Sequence, residues 1–410
     1  MSTAFLARDG WILFSARIVR LFAYGFLSII LALHLSAVGM TDGEIGLLLT
    51  LTLIGDATLS LVITQVADRL GRRRMLIASA SFMILTGVIF ALSKNPLFLM
   101  LAAFVGTLSP TGHEVGPFLA IEQAALAHLT PAQQRTRMFA WYNLTGSFAT
   151  ALGSWSGGAL VTALQGAGYV PLASYQTLFA LYAVFGAVLG LLFLLLSPRI
   201  EVEQADKSST PTFLGLHQSR TIIRNLSLLF MLDSFAGALV LQSLLAYWFH
   251  LRFGAEPATL GRLFFAVNVL AGFSALVAAR VAARIGLINT MVFTHLPANI
   301  FLLLTPFMPT FALAVTMLLL RYSMAQMDVP PRQSYLMAVV APDERSAAAG
   351  ITMLARTGAS ALGPVVAGAL LNASLLSLPF YLAGGLKIVY DLSLYWRFRR
   401  VRPPEEEDRE

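Results

Sequence analysis

About a dozen long apolar runs, joined by short polar turns, limit what this chain can fold into. They lie near residues 11–37, 45–66, 75–93, 97–127, 138–164, 174–197, 226–250, 258–280, 287–308, 311–339, 347–372 and 376–396. A helix needs roughly 20 apolar residues to cross the hydrocarbon layer, and barrel strands of about 10 residues with alternating polarity do not fit runs of this length. Charged residues make up 12% of the 410 and hydrophobic residues 57%, where a soluble domain carries about 25% charged. The chain therefore reads as an all-α polytopic membrane protein with twelve transmembrane helices, spans 1 to 12, in the lipid bilayer and without a large soluble domain.

The first run is long, holds Arg17 and Arg20 and offers no convincing small-residue cleavage site, so it reads as span 1 and not as a removed leader. The net charge is +7 and the isoelectric point is 9.9, but the basic residues collect at alternate connections. Arg69, Arg72, Arg73 and Arg74 follow span 2, Arg135 and Arg137 follow span 4, and Arg199, Lys207, Arg220 and Arg224 follow span 6. Arg284, Arg345, Arg397, Arg399, Arg400 and Arg402 continue the series, while the opposite connections hold only Lys94, Arg252 and Arg262. The positive-inside rule then puts both termini in the cytoplasm, with the protein in the cell (inner) membrane. The basic balance records topology and implies no nucleic-acid partner. Cysteine is absent, which excludes disulfides, thiolate metal sites and cysteine nucleophiles.

The polar stretch 197–225 divides the spans evenly and sets the expected organisation: a bundle at 1–197, a cytoplasmic linker at 198–225, a second bundle at 226–397 and a charged tail at 398–410. A repeat supports it. "ALGSWSGGAL" at 151–160 is matched by "ALGPVVAGAL" at 361–370, and Gln123/Gln333, Leu126/Leu336 and Arg135/Arg345 share the same offset of 210 residues. Halves with an even number of spans enter the membrane from the same side and form parallel repeats.

Between spans 2 and 3 the stretch "VADRLGRRR" resembles the signature Gly-x-x-x-Asp-Arg-x-Gly-Arg-Arg of the major facilitator superfamily, with Asp68, Arg69, Gly71, Arg72 and Arg73 in place and Thr64 where the first glycine is expected. "VAARIG" at 281–286 is a degenerate copy between spans 8 and 9. Gly153, Gly157 and Gly158 are similar to the end of that family's span 5 antiporter motif, with Ser154 for its proline; Gly363 and Pro364 stand in the duplicate. The resemblance implies a secondary transporter working by alternating access. It further implies that the small residues form a seam at which the halves slide, and that Asp68 docks at the start of span 11 when the inner side is closed. Arg69, Arg72 and Arg73 would bind carboxylates or lipid phosphates. The alternatives are helix packing for the glycines and topology-setting charge for the arginines.

Ionisable residues inside a membrane imply a partner or a cavity. Arg20 and Asp56 lie at similar depth on spans 1 and 2, and could form an ion pair, either a static brace or a proton-linked site. His113 and Glu114 sit near mid-membrane in a segment that Pro110 and Pro117 should kink and wet, and read as a substrate- or proton-binding pair, the alternative being a satisfied interhelical hydrogen bond. Glu122 corresponds through the repeat to Arg332, and Arg17 and Arg20 stand opposite Asp233, so spans 1 and 4 would pair Arg with Glu where spans 7 and 10 pair Asp with Arg. The resemblance places these spans around the central cavity. Asp328 and Arg321 complete the embedded set, while Lys387 and Asp391, four residues apart on a span that is peripheral in the family, read as a local pair.

The sequence holds no phosphate loop, no His-Glu-x-x-His metal motif, no Gly-x-Ser-x-Gly elbow and no dinucleotide fingerprint, so neither enzyme activity, a metal nor a cofactor is expected. The expected function is proton-coupled efflux of small amphipathic compounds by a monomer, in a cavity with aromatics such as Phe22, Tyr24, Trp141, Tyr142, Phe235 and Tyr247. The alternative is a carrier of an anionic metabolite, motivated by Arg20, Arg321 and Arg332: it loses its support if all three are neutralised by acids and gains if one is free in the cavity. A membrane receptor or scaffold is the remote alternative.

Overall fold

The computed structural model describes residues 8–114, 116–201, 219–341, 344–399 and 401, apart from the side chains of Gln65, Asp68, Arg69, Ala132, Gln133, Thr136, Arg137 and Ser346. Among the described residues the regular structure is helical, without strands. The first half contains α1 (Arg8–Ser28), α2 (Leu31–Val38), α3 (Asp42–Leu70), α4 (Arg72–Leu92), α5 (Pro96–Val105), α6 (Phe118–Leu129), α7 (Ala132–Gly166) and α8 (Pro171–Leu194). The second contains α9 (Arg220–Ala238), α10 (Gln242–Phe253), α11 (Pro257–Ile285), α12 (Leu287–Leu304), α13 (Phe311–Tyr322), α14 (Val329–Ala338), α15 (Arg345–Asn372) and α16 (Leu378–Phe398).

Among the described residues, eight helical stretches have the length and hydropathy to cross a membrane, and α5, α6 and α13 are shorter apolar helices. The mean hydropathy of α7 is diluted by Gly, Ser and Thr, and that of α16 by Lys387 and Asp391. Large apolar side chains face outward, with Leu92 80% and Trp396 78% exposed, a surface suited to lipid and not to water.

Spans 1, 4, 7 and 10 are each two helices: α1 and α2, α5 and α6, α9 and α10, α13 and α14. The sequence pointed to a distortion only in span 4, where the described residues between Val105 and Phe118 are not α-helical. A break inside a membrane frees backbone carbonyls that no water reaches, so each needs a donor. Side chains supply them. Gly25 O accepts the hydroxyls of Ser28 at 2.9 Å and Ser154 at 3.2 Å, and Ser28 O accepts Ser243 Oγ at 2.7 Å. Pro110 O accepts Ser243 Oγ at 2.8 Å, Gly112 O accepts Thr150 Oγ1 at 3.2 Å, and Thr107 O accepts the Tyr182 hydroxyl. Ser154 occupies the place of the antiporter proline and makes a bond that proline cannot.

The chain forms two compact units, Met1–Asp206 with Gln242–Phe265, and Lys207–Leu241 with Ala266–Glu410. The boundary expected at 198–225 put α10 in the second bundle; the structure groups it with the first unit, where Gln242 Nε2 also reaches Ser28 Oγ at 2.6 Å. Of that expected linker, residues 202–218 lie outside the described residues, as do 400 and 402–410 of the expected tail. In the first unit α1 packs on α7 and α4 on α8; in the second α9 packs on α15 and α12 on α16. These are the same pairs six spans apart, as duplicated halves require.

Close approach explains the glycines. A Cβ on Gly153 would meet the Phe22 backbone, on Gly157 the Phe26 backbone, and on Gly25 the Thr150 backbone, so α1 and α7 touch main chain to main chain. Gly158 is closed against Pro257 and Gly261 of α11, and Gly363 against Ala238 of α9. The seam read as lying between sliding halves is therefore, for Gly153, Gly157, Gly158 and Gly363, internal to a unit. Pro364 lies within α15.

The start of α3 carries a local signal. Thr41 Oγ1 accepts the Glu44 N–H at 3.3 Å while Glu44 Oε2 accepts the Thr41 N–H at 2.8 Å, a reciprocal cap. Thr41→Ala is expected to cost about 1 kcal/mol, read as faster amide exchange confined to the first turn of α3; unchanged exchange there would show that the cap is redundant.

Candidate functional site

Each unit holds a buried charge cluster built on its broken spans, which α12 and α16 complete in the second unit. In the first unit Arg20, 0% exposed on α1, holds Glu122 of α6 with Nη1–Oε1 at 2.6 Å and Nη2–Oε2 at 2.8 Å. It also reaches Glu114, with Nη2–Oε1 at 3.0 Å and Nε–Oε2 at 3.3 Å. Arg17 takes Glu114 Oε1 at 2.6 Å and Asn143 Oδ1 at 3.3 Å, its guanidinium 4.0 Å above the Tyr142 ring, and the Tyr142 hydroxyl donates to Glu122. Two arginines face two glutamates, with every carboxylate oxygen bonded. Such a set is internally neutral.

This corrects the expected Arg20–Asp56 pair. Equal depth did not mean equal azimuth: Asp56 on α3 accepts the Gly116 N–H, at a turn where Gly116 has φ of 80° and a side chain would be strained. His113 donates its N–H to Thr111 Oγ1 at 3.2 Å and its carbonyl accepts Ser109 Oγ at 2.7 Å; among the described residues it joins no ion pair. Glu114, its neighbour, joins the arginine cluster instead.

In the second unit Asp233 of α9 receives Arg332 Nη1 of α14 on Oδ2 at 3.0 Å and Lys387 Nζ of α16 on Oδ1 at 2.5 Å. Arg332 also holds Asp328 at 3.2 Å. Lys387 and Asp391 are not the local pair expected from their spacing, because Lys387 is drawn across to Asp233 and Asp391 binds His295 Nδ1 at 2.8 Å and Asn299 Nδ2 at 2.9 Å on α12. His295 and Asn299 escaped the sequence reading. The available signal was a pair of polar residues four apart on span 9, matching Lys387 and Asp391 four apart on span 12.

Two embedded cations in this unit, Arg321 and Arg356, have no described acid of their own. Arg321, at the end of α13, is 8% exposed, with Nε and Nη1 buried and lacking a hydrogen-bond partner; its guanidinium lies 5.2 Å from the Tyr322 ring centroid. Arg356 on α15 donates Nε to Ser234 Oγ at 3.1 Å. Neither forms an ion pair with a described carboxylate. Among the described residues no group of three or more His, Asp or Glu side chains is arranged to hold a metal ion.

At the signature loop the side chains of Asp68 and Arg69 lie outside the described residues. Gly71 turns with φ of 100°, and Glu201 accepts the N–H groups of Arg72 at 2.7 Å and Arg73 at 3.2 Å, an anion on the positive end of α4. Among the partners of their guanidinium groups are main-chain carbonyls at and beyond the end of α8: Arg72 reaches Ile200 O at 3.3 Å, and Arg73 reaches Phe193 O at 3.2 Å and Leu194 O at 2.5 Å. The carboxylate expected there is thus bound by backbone amides, and these side chains fasten α4 to α8.

Lipid-facing helices, paired six-span packing and buried charge on broken spans together define an integral membrane transporter for small molecules. The chain belongs to the Major Facilitator Superfamily, whose sequence profile matches residues 13–327 and again 226–410. It is 30% identical to the uncharacterised membrane protein YJR124C of Saccharomyces cerevisiae over 425 residues, covering 96% of this chain and 95% of that protein. Among solved structures it resembles the nucleoside transporter NupG (TM-score 0.75, 16% identity, 96% of this chain and 100% of that one). It also resembles a D-xylose–proton symporter (0.72, 15%, 95% and 97%) and the human organic anion transporter MFSD10 (0.61, 18%, 94% and 99%). At these identities the likeness to solved structures is one of fold.

Proposed function

We propose that this protein is a secondary carrier of small organic anions, working by alternating access as a monomer with both termini cytoplasmic, and that Arg321 is its substrate-binding cation. The solitude of Arg321 carries this reading. Arg17, Arg20, Arg332 and Lys387 each face a carboxylate, whereas Arg321 is buried with two unpartnered nitrogens. A buried charge without a partner costs several kcal/mol, and inside a membrane it marks a substrate path. A carboxylate or phosphate supplies the missing acceptors in the planar geometry that a guanidinium fits. Arg356 adds a second positive charge to the same unit. The ligands named for the structural neighbours belong to those proteins, so the anion argument rests on Arg321.

The test is thermal stabilisation of purified protein by a panel of carboxylates and organic phosphates, against sugars and lipophilic cations; a ligand that binds only the folded state stabilises by mass action. Anions are expected to stabilise. Arg321→Gln should weaken that binding roughly 10- to 100-fold, the worth of a charge-assisted bond of about 1.5–3 kcal/mol. Stabilisation by lipophilic cations alone, or an Arg321→Gln protein that binds anions as wild type does, would reject the reading.

A second reading, proton-coupled efflux of amphipathic compounds, is favoured by one observation. Asp56 accepts a backbone N–H and joins no ion pair with a described cation. Here Asp56→Asn should abolish gradient-driven flux, and flux indifferent to that substitution rejects it.

A further inference from the structure

The second unit encloses an imidazole that neither reading uses. His295 is 4% exposed on α12, with Nδ1 2.8 Å from Asp391 Oδ1 and Nε2 3.9 Å from Asp233 Oδ1. The Tyr390 ring meets it edge-on, 6.0 Å between centroids. Asn299, one turn along α12, donates from Nδ2 to the other oxygen of Asp391 at 2.9 Å and fixes that carboxylate from a second side; the same Nδ2 lies 3.2 Å from His295 Nδ1, farther than the carboxylate at 2.8 Å. An ionised carboxylate only accepts hydrogen bonds, so Nδ1 carries the proton that faces Asp391. In the neutral ring Nε2 is then a lone pair turned toward another carboxylate oxygen. Two acceptors then lie 3.9 Å apart with no proton of the ring between them. One proton added at Nε2 turns that opposition into a charge-assisted N–H···O contact.

The gap of 3.9 Å exceeds a hydrogen bond by about 1 Å, and the same oxygen already holds an ammonium. Lys387 Nζ occupies Asp233 Oδ1 at 2.5 Å. Lys387 has a second acid within reach, since Asp391 lies four residues on along α16, the spacing of facing side chains on a helix.

We propose that His295 Nε2 is a proton-binding site of this transporter, with Asp391 as its positioning residue, and that the bound proton displaces Lys387 from Asp233. In the forward step a hydronium ion gives one proton to the Nε2 lone pair: its O–H bond breaks as the N–H bond forms, a water molecule leaves, and the ring becomes imidazolium. The Lys387 ammonium keeps its own protons and passes from Asp233 to Asp391. Release reverses both moves. Asp233 stays tied to Arg332 through Oδ2, and Arg332 to Asp328, so the acceptor oxygen is held in place throughout. The charged groups that face this site are Lys387 and Asp391 from α16, Asp233 from α9, and Arg332 and Asp328 from α14, with Arg321 of α13 and Arg356 of α15 acting at longer range. Their cations oppose a further positive charge on the ring. An anion bound at Arg321 reduces that opposition, so proton and anion binding favour one another; this last clause rests on the proposed anion reading, whereas the proton site does not.

The test needs no substrate, so its failure is separate from failure of that reading. Full-length protein with nitrogen-labelled histidine, reconstituted in lipid, is titrated by solid-state NMR. His295 is assigned by the resonance lost in His295→Gln or, if that variant does not fold, by the resonance displaced in Asp391→Asn. We expect the ring to pass from the Nδ1–H tautomer to the doubly protonated form as pH falls. At a fixed, mildly acidic pH the doubly protonated fraction should rise several-fold in Lys387→Met, where the competitor for Asp233 is gone. Asp391→Asn should lose the tautomer preference. A ring that keeps one proton wherever the fold persists, a population unmoved by Lys387→Met, or a tautomer unmoved by Asp391→Asn would each overturn the proposal.

Discussion

Arg20→Met is expected to destabilise the first unit by about 3–5 kcal/mol, the cost of removing one partner from a buried ion pair. Arg20 engages both Glu122 oxygens and both Glu114 oxygens. After the change Arg17 still neutralises Glu114, but Glu122, 0% exposed, keeps only the Tyr142 hydroxyl. Lysine would not substitute, because a single ammonium cannot reproduce the planar fork. The double variant Arg20→Met with Glu122→Met removes both charges and should recover most of the loss, since apolar replacements of whole buried pairs are often neutral. Unfolding in detergent through the four-variant cycle gives the coupling directly. Additive losses would show that the pair contributes nothing beyond its separate members.

The second large effect is expected at the α1–α7 crossing. Gly153→Ala gains up to about 1 kcal/mol of helix propensity, yet its methyl would overlap the Phe22 carbonyl, a backbone atom that cannot rotate away. Gly25 and Gly157 seal the same contact against Thr150 and Phe26, so the helices must part along their length. Overpacking costs about 1–3 kcal/mol where side chains give way, and here the main chain has to move. Gly153→Val should therefore lower the melting temperature markedly and Gly153→Ala measurably. Gly358→Ala is the control: its Cβ meets nothing within 4 Å, and it should be neutral or slightly stabilising. Equal effects at Gly153 and Gly358 would mean that helix propensity, not close approach, governs both.

Hydropathy and repetition determined much of this protein by themselves. Apolar runs of span length leave helices as the only backbone that satisfies itself in lipid, and a repeated phrase 210 residues apart announced two halves with the same packing. Both follow from local periodicity, which a linear sequence carries in full. The loop around Gly71 was legible for a related reason: a motif records a backbone turn and the charges beside it.

Azimuth was not legible. Depth in the membrane can be counted along a helix, but which face of one span meets which face of another depends on rotation fixed by packing. Arg20 and Asp56 share a depth and do not pair, and Lys387 prefers Asp233 on α9 to Asp391 on its own helix. The breaks in spans 1 and 7 were hidden for a similar reason. Neither break carries a proline; at span 1, donors from distant helices, Ser154 and Ser243, stabilise the freed carbonyls. The sequence thus determined the solvent, the secondary structure and the duplication, which depend on neighbours along the chain. Tertiary structure alone decided which charges neutralise one another, because a side chain's partner in lipid is chosen by which helix faces are pressed together; that choice left Arg321 without an acid and placed His295 between two.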